Sequence, residues 1–170
     1  GDLLVDPAPV QVGDQPYPCL EINLHADVPS LQYTPSHAMS YAAGVYQGDG
    51  YKAGDRSVGV CHGSIKKKDQ MGVAYDKWQV ILANAMEQAG FRPQLKDELI
   101  YLGSRNTIRF MECLGLVTFN GSRRLRVPEW VMSAGRTAIL HYLAGLGDTD
   151  GCVSPKDGSG KWCTKDIVFA

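Results

Sequence analysis

The sequence predicts a mixed α+β fold that contains two related structural units. Helical segments with apolar residues at spacings of three and four alternate with short segments of β-type sequence. A ten-residue motif also occurs twice without gaps: Tyr41–Gly50 and Tyr142–Gly151 are identical at five of ten positions, and Asp150 follows Asp49 by 101 residues. Two helix ends built alike, so far apart in one chain, imply two units of the same kind.

The composition is that of a globular protein without membrane segments. The chain has 170 residues, of which 44% are hydrophobic, enough to bury the core of one domain or of two small fused halves. It contains neither an apolar run of 18 residues nor a basic N-terminal region followed by an apolar segment. Its five cysteines are widely spaced and form no CxxC pair, which favours reduced thiols and an intracellular location.

The charge is unevenly distributed along the chain. The formal net charge is −1, but residues 1–40 hold five acidic residues and no Lys or Arg. The remaining 130 residues therefore carry 17 basic and 13 acidic side chains, a net of +4. This mildly basic body suits a polyanionic partner, and an excess of this size is also common on solvated surfaces.

The first 35 residues form a Pro-rich lead-in that we expect to be mostly extended, with a short strand within Leu20–Leu24. Pro35 and Ser36 open a helix of small residues that Gly48 and Gly50 end. The later elements follow from local periodicity and turn residues. They are strands at residues 51–52 and 57–61, a helix at 76–89 closed by Gly90, unclear segments at 99–102 and 105–110, strands at 117–119 and 125–127 around an Asn-Gly turn, and one helix from Pro128 towards Leu146.

Each motif places a glycine, Gly44 or Gly145, in the body of its helix. Glycine there makes helix formation less favourable by about 1 kcal/mol relative to alanine, so a compensating interaction is expected. Close approach of two helix backbones does so, because the missing Cβ atoms let the helices touch. We therefore expect helices 36–47 and 137–148 to pack against each other, with Asp49 and Asp150 close together.

Each motif ends in Asp-Gly, which puts a carboxylate at the negative end of a helix dipole. Two such carboxylates brought together would repel each other, and an unfavourable polar pair of this kind usually serves a ligand. Hard divalent cations with oxygen ligands fit, Mg²⁺ foremost. Taken alone, either Gly-Asp-Gly or Asp-Thr-Asp-Gly segment is more often a simple turn. A calcium-binding loop that starts at Asp148 is excluded, because glycine stands at its fourth position instead of the sixth and no glutamate stands at its twelfth.

The second motif, Leu-Ala-Gly-Leu-Gly-Asp-Thr-Asp-Gly at 143–151, resembles the signature of the LAGLIDADG homing endonucleases. The first motif is similar to the more divergent copy found in the DOD-type, double-motif enzymes that are embedded in inteins. The segment Arg126–Val131, with its basic residue, Pro, Glu and aromatic residue, resembles the stretch that precedes the second motif there. The likeness covers residues 36 to 170.

The resemblance implies a specific architecture. An αββαββα half, at about 36–140, is followed by the start of a second half, with the boundary between subdomains near residues 135 and 136. The two motif helices pack at a pseudo-twofold axis, and saddle-shaped sheets lie along the major groove of double-stranded DNA. Only 19 residues follow the second motif, so we expect a second half whose completion needs a further segment or another chain.

The resemblance also implies a reaction and its residues. A homing endonuclease hydrolyses phosphodiester bonds with Mg²⁺ or Mn²⁺, here bound by Asp49 and Asp150 with help from the carbonyls of Gly48 and Thr149. Arg126, with Arg124 as second choice, stands where the family often has a catalytic lysine; arginine stabilises phosphate charge but exchanges a proton poorly. Further DNA contacts are expected from basic residues on strands, turns and loops: Lys66, Lys67, Lys68, Arg105, Arg109, Arg123 and Arg124.

Three positions depart from the family pattern, and two other functions stay open. Gln47 stands where the second motif has Asp148, Gly147 replaces a bulky aliphatic residue, and arginine replaces the usual lysine at 126. One alternative is a DNA-binding or RNA-binding protein of the same fold that does not cut, such as a degenerate nuclease, a maturase or a regulator. The other is an inactive intein fragment.

Overall fold

The computed structural model describes residues 13–53, 56–61, 73–96, 99–116, 126–149, 151–153 and 167–169, which form a mixed α+β fold. The helices are α1 (His37–Asp49), α2 (Val73–Gln88), α3 (Arg105–Cys113), α4 (Glu129–Ser133) and α5 (Arg136–Thr149). The strands are β1 (Leu20–Ile22), β2 (Leu31–Tyr33), β3 (Gly50–Ala53), β4 (Ser57–Cys61), β5 (Gln94–Lys96), β6 (Leu99–Gly103), β7 (Gly151–Val153) and β8 (Ile167–Phe169). Within these ranges, no helix is long and apolar enough to cross a membrane.

Among the described residues, the largest sheet has four antiparallel strands in the order β3-β4-β6-β5, and the described elements from α1 to α3 follow the order αββαββα. Alternation along β4 and β6 sends Val58, Val60, Ile100 and Leu102 into the core, where each is almost fully buried. Helix α1 packs on this covered face and carries fully buried Val45. On the opposite face, Tyr51 and Tyr101 are half-buried, and Gln94 and Lys96 are exposed.

Several helix limits follow from local chemistry that the sequence predicts. The Ser36 hydroxyl accepts a hydrogen bond from the Met39 backbone N–H at 3.2 Å and caps α1. Helix α2 ends at Gln88, and Gly90 adopts a positive φ of 96°, as expected for a glycine stop. The strands predicted at 51–52 and 57–61 correspond to β3 and β4.

Other limits differ from the prediction. The single helix expected after Pro128 is two helices, α4 and α5, broken at Gly135, which has a φ of 90°. A Cβ atom there would lie 2.6 Å from the Gly13 carbonyl oxygen, so the break lets the N-terminal segment pass close by. The segments at 99–102 and 105–110, for which no element was predicted, belong to β6 and α3. The predicted strand at 117–119 and the Asn-Gly turn lie outside the described residues. Arg126 and Val127 belong to an irregular segment.

The lead-in is more ordered than expected. Strands β1 and β2 form an antiparallel hairpin with Ile22 buried against the core. Before it, Asp14 caps α5: one carboxylate oxygen accepts from the Thr137 backbone N–H at 2.8 Å and the other from the Thr137 hydroxyl at 2.7 Å. Tyr17 shares hydrogen bonds with His37 and Ser40 at the start of α1. This short segment therefore contacts the N-terminal ends of α1 and α5 together, so the two helices run parallel.

Stability should depend on pH through Asp14. Hydrogen bonds from Thr137, with smaller electrostatic contributions from His37 and Arg136, hold the pKa of the Asp14 carboxyl below its usual range. A depressed carboxyl pKa stabilises the fold above the unfolded pKa of about 4, and this contribution disappears as the pH falls through the folded pKa. We expect Asp14→Asn to lower the denaturation midpoint at pH 7, with the difference from wild type shrinking towards pH 2. A constant difference across that range would contradict the proposed cap.

Candidate active site at the paired motif helices

Helices α1 and α5 touch through their backbones. A Cβ atom on Gly44 would lie 2.0 Å from the Tyr142 carbonyl oxygen, and one on Gly145 would lie 2.1 Å from the Tyr41 carbonyl oxygen. Both distances are far below any real contact, so no side chain fits at either position. The close contact that offsets the cost of helical glycine is therefore present, and its two halves are related by the 101-residue offset of the motifs.

Two tyrosines extend this reciprocal contact to polar groups. The Tyr41 hydroxyl of α1 donates to the Asp148 carboxylate of α5 at 2.6 Å, and the Tyr142 hydroxyl of α5 donates to the Gln47 side-chain carbonyl of α1. The same offset relates these two pairs. Burial raises the pKa of Tyr41 well above its usual range, and the hydrogen bond to Asp148 and its negative charge add to the shift. Both phenols therefore remain protonated donors. These roles of Gln47 and Asp148 were not predicted, although the tyrosine repeated at positions 41 and 142 was a sequence signal for them.

The C-terminal ends of the two helices are built alike. Asp49 is the last residue of α1, is partly buried, and leads directly into β3 at Gly50. Thr149 is the last described residue of α5, and β7 begins at the equivalent Gly151. Each motif helix thus runs straight into the first strand of an antiparallel hairpin, β3-β4 or β7-β8.

Because the helices are parallel and touch near Gly44 and Gly145, their C-terminal ends leave the contact on the same side. Asp49 lies five residues past Gly44, about 7.5 Å along the helix axis at 1.5 Å per residue. Neither helix has a basic residue in its last turn, so the negative ends of both dipoles lie on this side without a cationic side chain from the helices themselves.

The oxygen donors at these ends suit a hard divalent cation. The Asp49 carboxylate and the last carbonyls of each helix, including those of Gly48 and Thr149, are the ligand types that Mg²⁺ and Mn²⁺ prefer. Asp150, the other predicted ligand, lies outside the described residues, so the predicted pairing with Asp49 stays a prediction. Among the described residues, no group of three or more His, Cys, Asp or Glu side chains is placed to hold a metal.

Arg126 is the one predicted catalytic arginine that the structure describes. Its backbone carbonyl accepts a hydrogen bond from the Gln47 side-chain amide at 2.9 Å, which holds this segment beside the last turn of α1. Its side chain is exposed, so the guanidinium is available to a phosphate near that end of the helix. Arg123, Arg124 and the lysines at 66, 67 and 68 lie outside the described residues.

The placement of Arg105 and Arg109 corrects the sequence prediction. Both were expected on strands or turns that face DNA, but both lie on α3. Helix α3 packs on the covered face of the sheet, because its Glu112 pairs at 2.9 Å with Lys52, whose neighbour across the strands is the core residue Val58. The strand-or-turn prediction was wrong because this largely polar segment forms a helix that buries only Ile108 and Met111. Contact of Arg105 and Arg109 with DNA stays a prediction.

The uncovered face of the four-stranded sheet carries different polar residues, which we call the open face: Tyr51, Gln94, Lys96 and Tyr101. The Lys96 ammonium lies 4.5 Å from the centre of the Tyr101 ring, a cation–π contact that fixes the direction of both side chains. The Tyr51 ring packs over Gly59, where a Cβ atom would come within 2.6 Å of the ring. Sequence reasoning missed these residues because the face they share depends on the register of β4, β5 and β6.

Comparison with known proteins gives no further guide to this site. No protein-family model, no curated protein and no solved structure matches the chain.

Substitution of the contact glycines should separate α1 from α5. We expect Gly44→Ala and Gly145→Ala each to reduce the free energy of unfolding by about 1 to 3 kcal/mol, because the added Cβ atom meets backbone and cannot be accommodated by a side-chain rotation. Intrinsic helix propensity acts in the opposite direction, by about 1 kcal/mol. Gly13→Ala is the control, since a Cβ atom there meets nothing within 4 Å. Chemical denaturation measures all three; an alanine at 44 or 145 that stabilises the protein would contradict the backbone contact.

The two tyrosines should contribute unequally to stability. Tyr142→Phe leaves the buried Gln47 carbonyl without its donor, which should cost about 1 to 3 kcal/mol. Tyr41→Phe should cost less, because Asp148 is exposed and water can replace the phenol. The matched pair of variants shares the same chemical change, so the difference between their denaturation midpoints reports the burial of the acceptor. Equal or reversed losses would argue against the description of the two pairs.

Proposed function

We propose that this protein is a LAGLIDADG-type endonuclease that hydrolyses phosphodiester bonds of double-stranded DNA with divalent cations. One observation carries the proposal: two helices with the same Asp-Gly ending touch through reciprocal glycines, run parallel, and each enter an antiparallel hairpin. A pseudo-twofold pair of this kind presents equivalent groups to the two strands of a duplex. The αββαββα order of the first unit agrees with this family.

In this proposal, Asp49 and Asp150 bind Mg²⁺ or Mn²⁺ through their carboxylates, and the carbonyls of Gly48 and Thr149 complete the oxygen donors. The cation supplies Lewis-acid activation of water and of the scissile phosphate. Arg126 stabilises the negative charge that builds on the phosphate, but it does not take up a proton, because its guanidinium remains charged. The backbone contact at Gly44 and Gly145 keeps the two helices at a fixed separation.

The open face of the sheet is the proposed DNA surface. Lys96 contacts a phosphate, while Gln94 and the aromatic rings of Tyr51 and Tyr101 are placed to contact bases or sugars. Contact with the open face leaves the α3 arginines on the far side of the sheet, away from the duplex. The lysines at 66 to 68 lie outside the described residues, so their contact with DNA stays a prediction.

Neutralising Asp49 should stop cleavage and preserve binding. We expect Asp49→Asn to lower the rate of Mg²⁺-dependent strand cleavage by at least about 100-fold, because a neutral amide cannot replace a carboxylate on a hard cation. DNA affinity should stay the same or rise slightly, since one negative charge near phosphate is removed. Cleavage of a supercoiled plasmid library and filter binding measure the two effects.

The control for that experiment is Asp148→Asn, which removes the same charge one residue before Thr149 while keeping an oxygen acceptor for Tyr41. Its cleavage rate should stay near that of wild type. If Asp148→Asn is inactive and Asp49→Asn is active, the ligand assignment is wrong. A wild-type protein with a complete second half that binds DNA but cuts none with Mg²⁺ or Mn²⁺ contradicts the nuclease and leaves the non-cleaving alternative.

The salt dependence of binding tests which face contacts DNA. Each phosphate neutralised by a cationic side chain contributes about 0.9 to the slope of log affinity against log salt concentration. Lys96→Ala should therefore flatten the slope by about one, whereas Arg109→Ala on α3 should leave it unchanged. A flatter slope for Arg109→Ala alone would place the DNA on the covered side of the sheet.

A further inference from the structure

Two histidines lie together where the N-terminal halves of α1 and α5 adjoin. The ring centres of His37 on α1 and His141 on α5 are 4.9 Å apart, and the ring planes differ by 14°. Both side chains are exposed, and with Tyr41 and Gln88 they help to line a small cavity between α1, α2 and α5. Imidazole is the side chain that changes charge near neutral pH. The proposed DNA chemistry, at the other end of the two helices, uses neither histidine.

His37 can take up a proton without losing its hydrogen bond. Its Nδ1 atom lies 2.9 Å from the Tyr17 hydroxyl oxygen, which in turn lies 2.8 Å from Oγ of buried Ser40. When the imidazole is neutral, the Tyr17 hydroxyl donates to Nδ1 and accepts from Ser40. When the imidazole is charged, its Nδ1–H donates to the Tyr17 oxygen, and the Tyr17 hydroxyl donates to Ser40. The hydrogen bonds therefore fit both charge states of His37.

The groups around the two histidines come from each neighbouring segment. The N-terminal segment supplies Asp14, which interacts electrostatically with His37 and with Arg136 of α5. Helix α1 supplies Tyr41, whose phenol stays protonated, and α2 supplies the uncharged Gln88. Among these groups, Asp14 carries the one negative charge, and Arg136 already shares it.

We propose that His37 and His141 form an acid-sensitive joint between α1 and α5, which accepts one proton and is pushed apart by a second. Two imidazolium charges at this separation repel each other, and the positive end of the α1 dipole lies at His37. Asp148, the partner of Tyr41, lies seven residues beyond His141, about 10 Å along α5, and is too distant to balance the second charge.

This repulsion arises only in the folded protein, because the unfolded chain holds the two rings apart. Stability should therefore fall as the pH drops through about 6.5, where the imidazoles of an unfolded chain become charged. That window lies above the one in which the Asp14 cap is lost. The proposal holds whether or not the protein cuts DNA, since it concerns the packing of α1 against α5.

Chemical denaturation of the full chain at pH 8 and at pH 5.5 tests the joint. Between these two pH values, the unfolding equilibrium constant of wild type should rise at least about threefold more than that of His37→Gln or His141→Gln. The double variant should respond like the single variants, because either substitution removes the repulsion. His25→Gln is the matched control: His25 pairs with Asn106 at 3.1 Å, outside the joint, so this variant should keep the wild-type response.

Two further variants separate charge from packing. His141→Phe keeps an aromatic ring beside His37 without a second charge, so it should lose the extra rise as fully as His141→Gln does. Asp14→Asn should enlarge the rise, because it removes the carboxylate that balances the first charge. An equal rise in wild type, His37→Gln and His141→Gln would overturn the proposal. So would a rise that His141→Phe retains in full, because ring packing and not charge would then be its cause.

Discussion

The rest of the structure depends on the backbone contact between Gly44 and Gly145. Each glycine lies against a carbonyl of the other helix, so the axes cannot separate without exposing both backbones and cannot approach further. With the axes this close, the two tyrosines reach across to acceptors six residues further along the partner helix. The contact also brings both N-terminal ends within reach of one short segment at Asp14 and Tyr17. The two glycines therefore determine where these tyrosines and this N-terminal segment meet the helices.

Parallel packing has an electrostatic cost, because two helix dipoles lie side by side with like ends together. At the N-terminal ends, the chain supplies a negative group: Asp14 accepts from Thr137, and His37 and Arg136 lower its pKa further. At the C-terminal ends, the helices supply no basic residue and instead add an acid, Asp49. At one end the chain places a charge opposite in sign to the helix ends, and at the other end it places a charge of the same sign.

The sequence predicted the elements whose local pattern and tertiary role agree. Repeated glycines in helix bodies indicated the α1–α5 contact, and helical spacing closed by Gly90 indicated α2. It did not reveal α3, whose nine residues include only two buried ones, or the break at Gly135, which depends on the distant Gly13. The open face was missed for a similar reason: Lys96 and Tyr101 share a side only because β5 and β6 pair in one register, with Leu95 opposite Ile100. That register is a property of the paired strands and leaves no signature in the sequence of either strand alone.

The differences between the two motifs follow from the unequal surroundings of their helices. Gln47 is 6% exposed, and a charged carboxylate at that depth would need a compensating cation, so a neutral amide that donates to Arg126 and accepts from Tyr142 is the less costly residue. Asp148, in the equivalent position of α5, is exposed and keeps its charge in contact with water. Tyr46 is buried where Gly147 offers no side chain, and burial together with the nearby Glu112 raises the Tyr46 pKa to about 12. Once one helix is buried and its partner is open, the same motif must carry different residues, and the two units need not contribute equally to any chemistry at their shared ends.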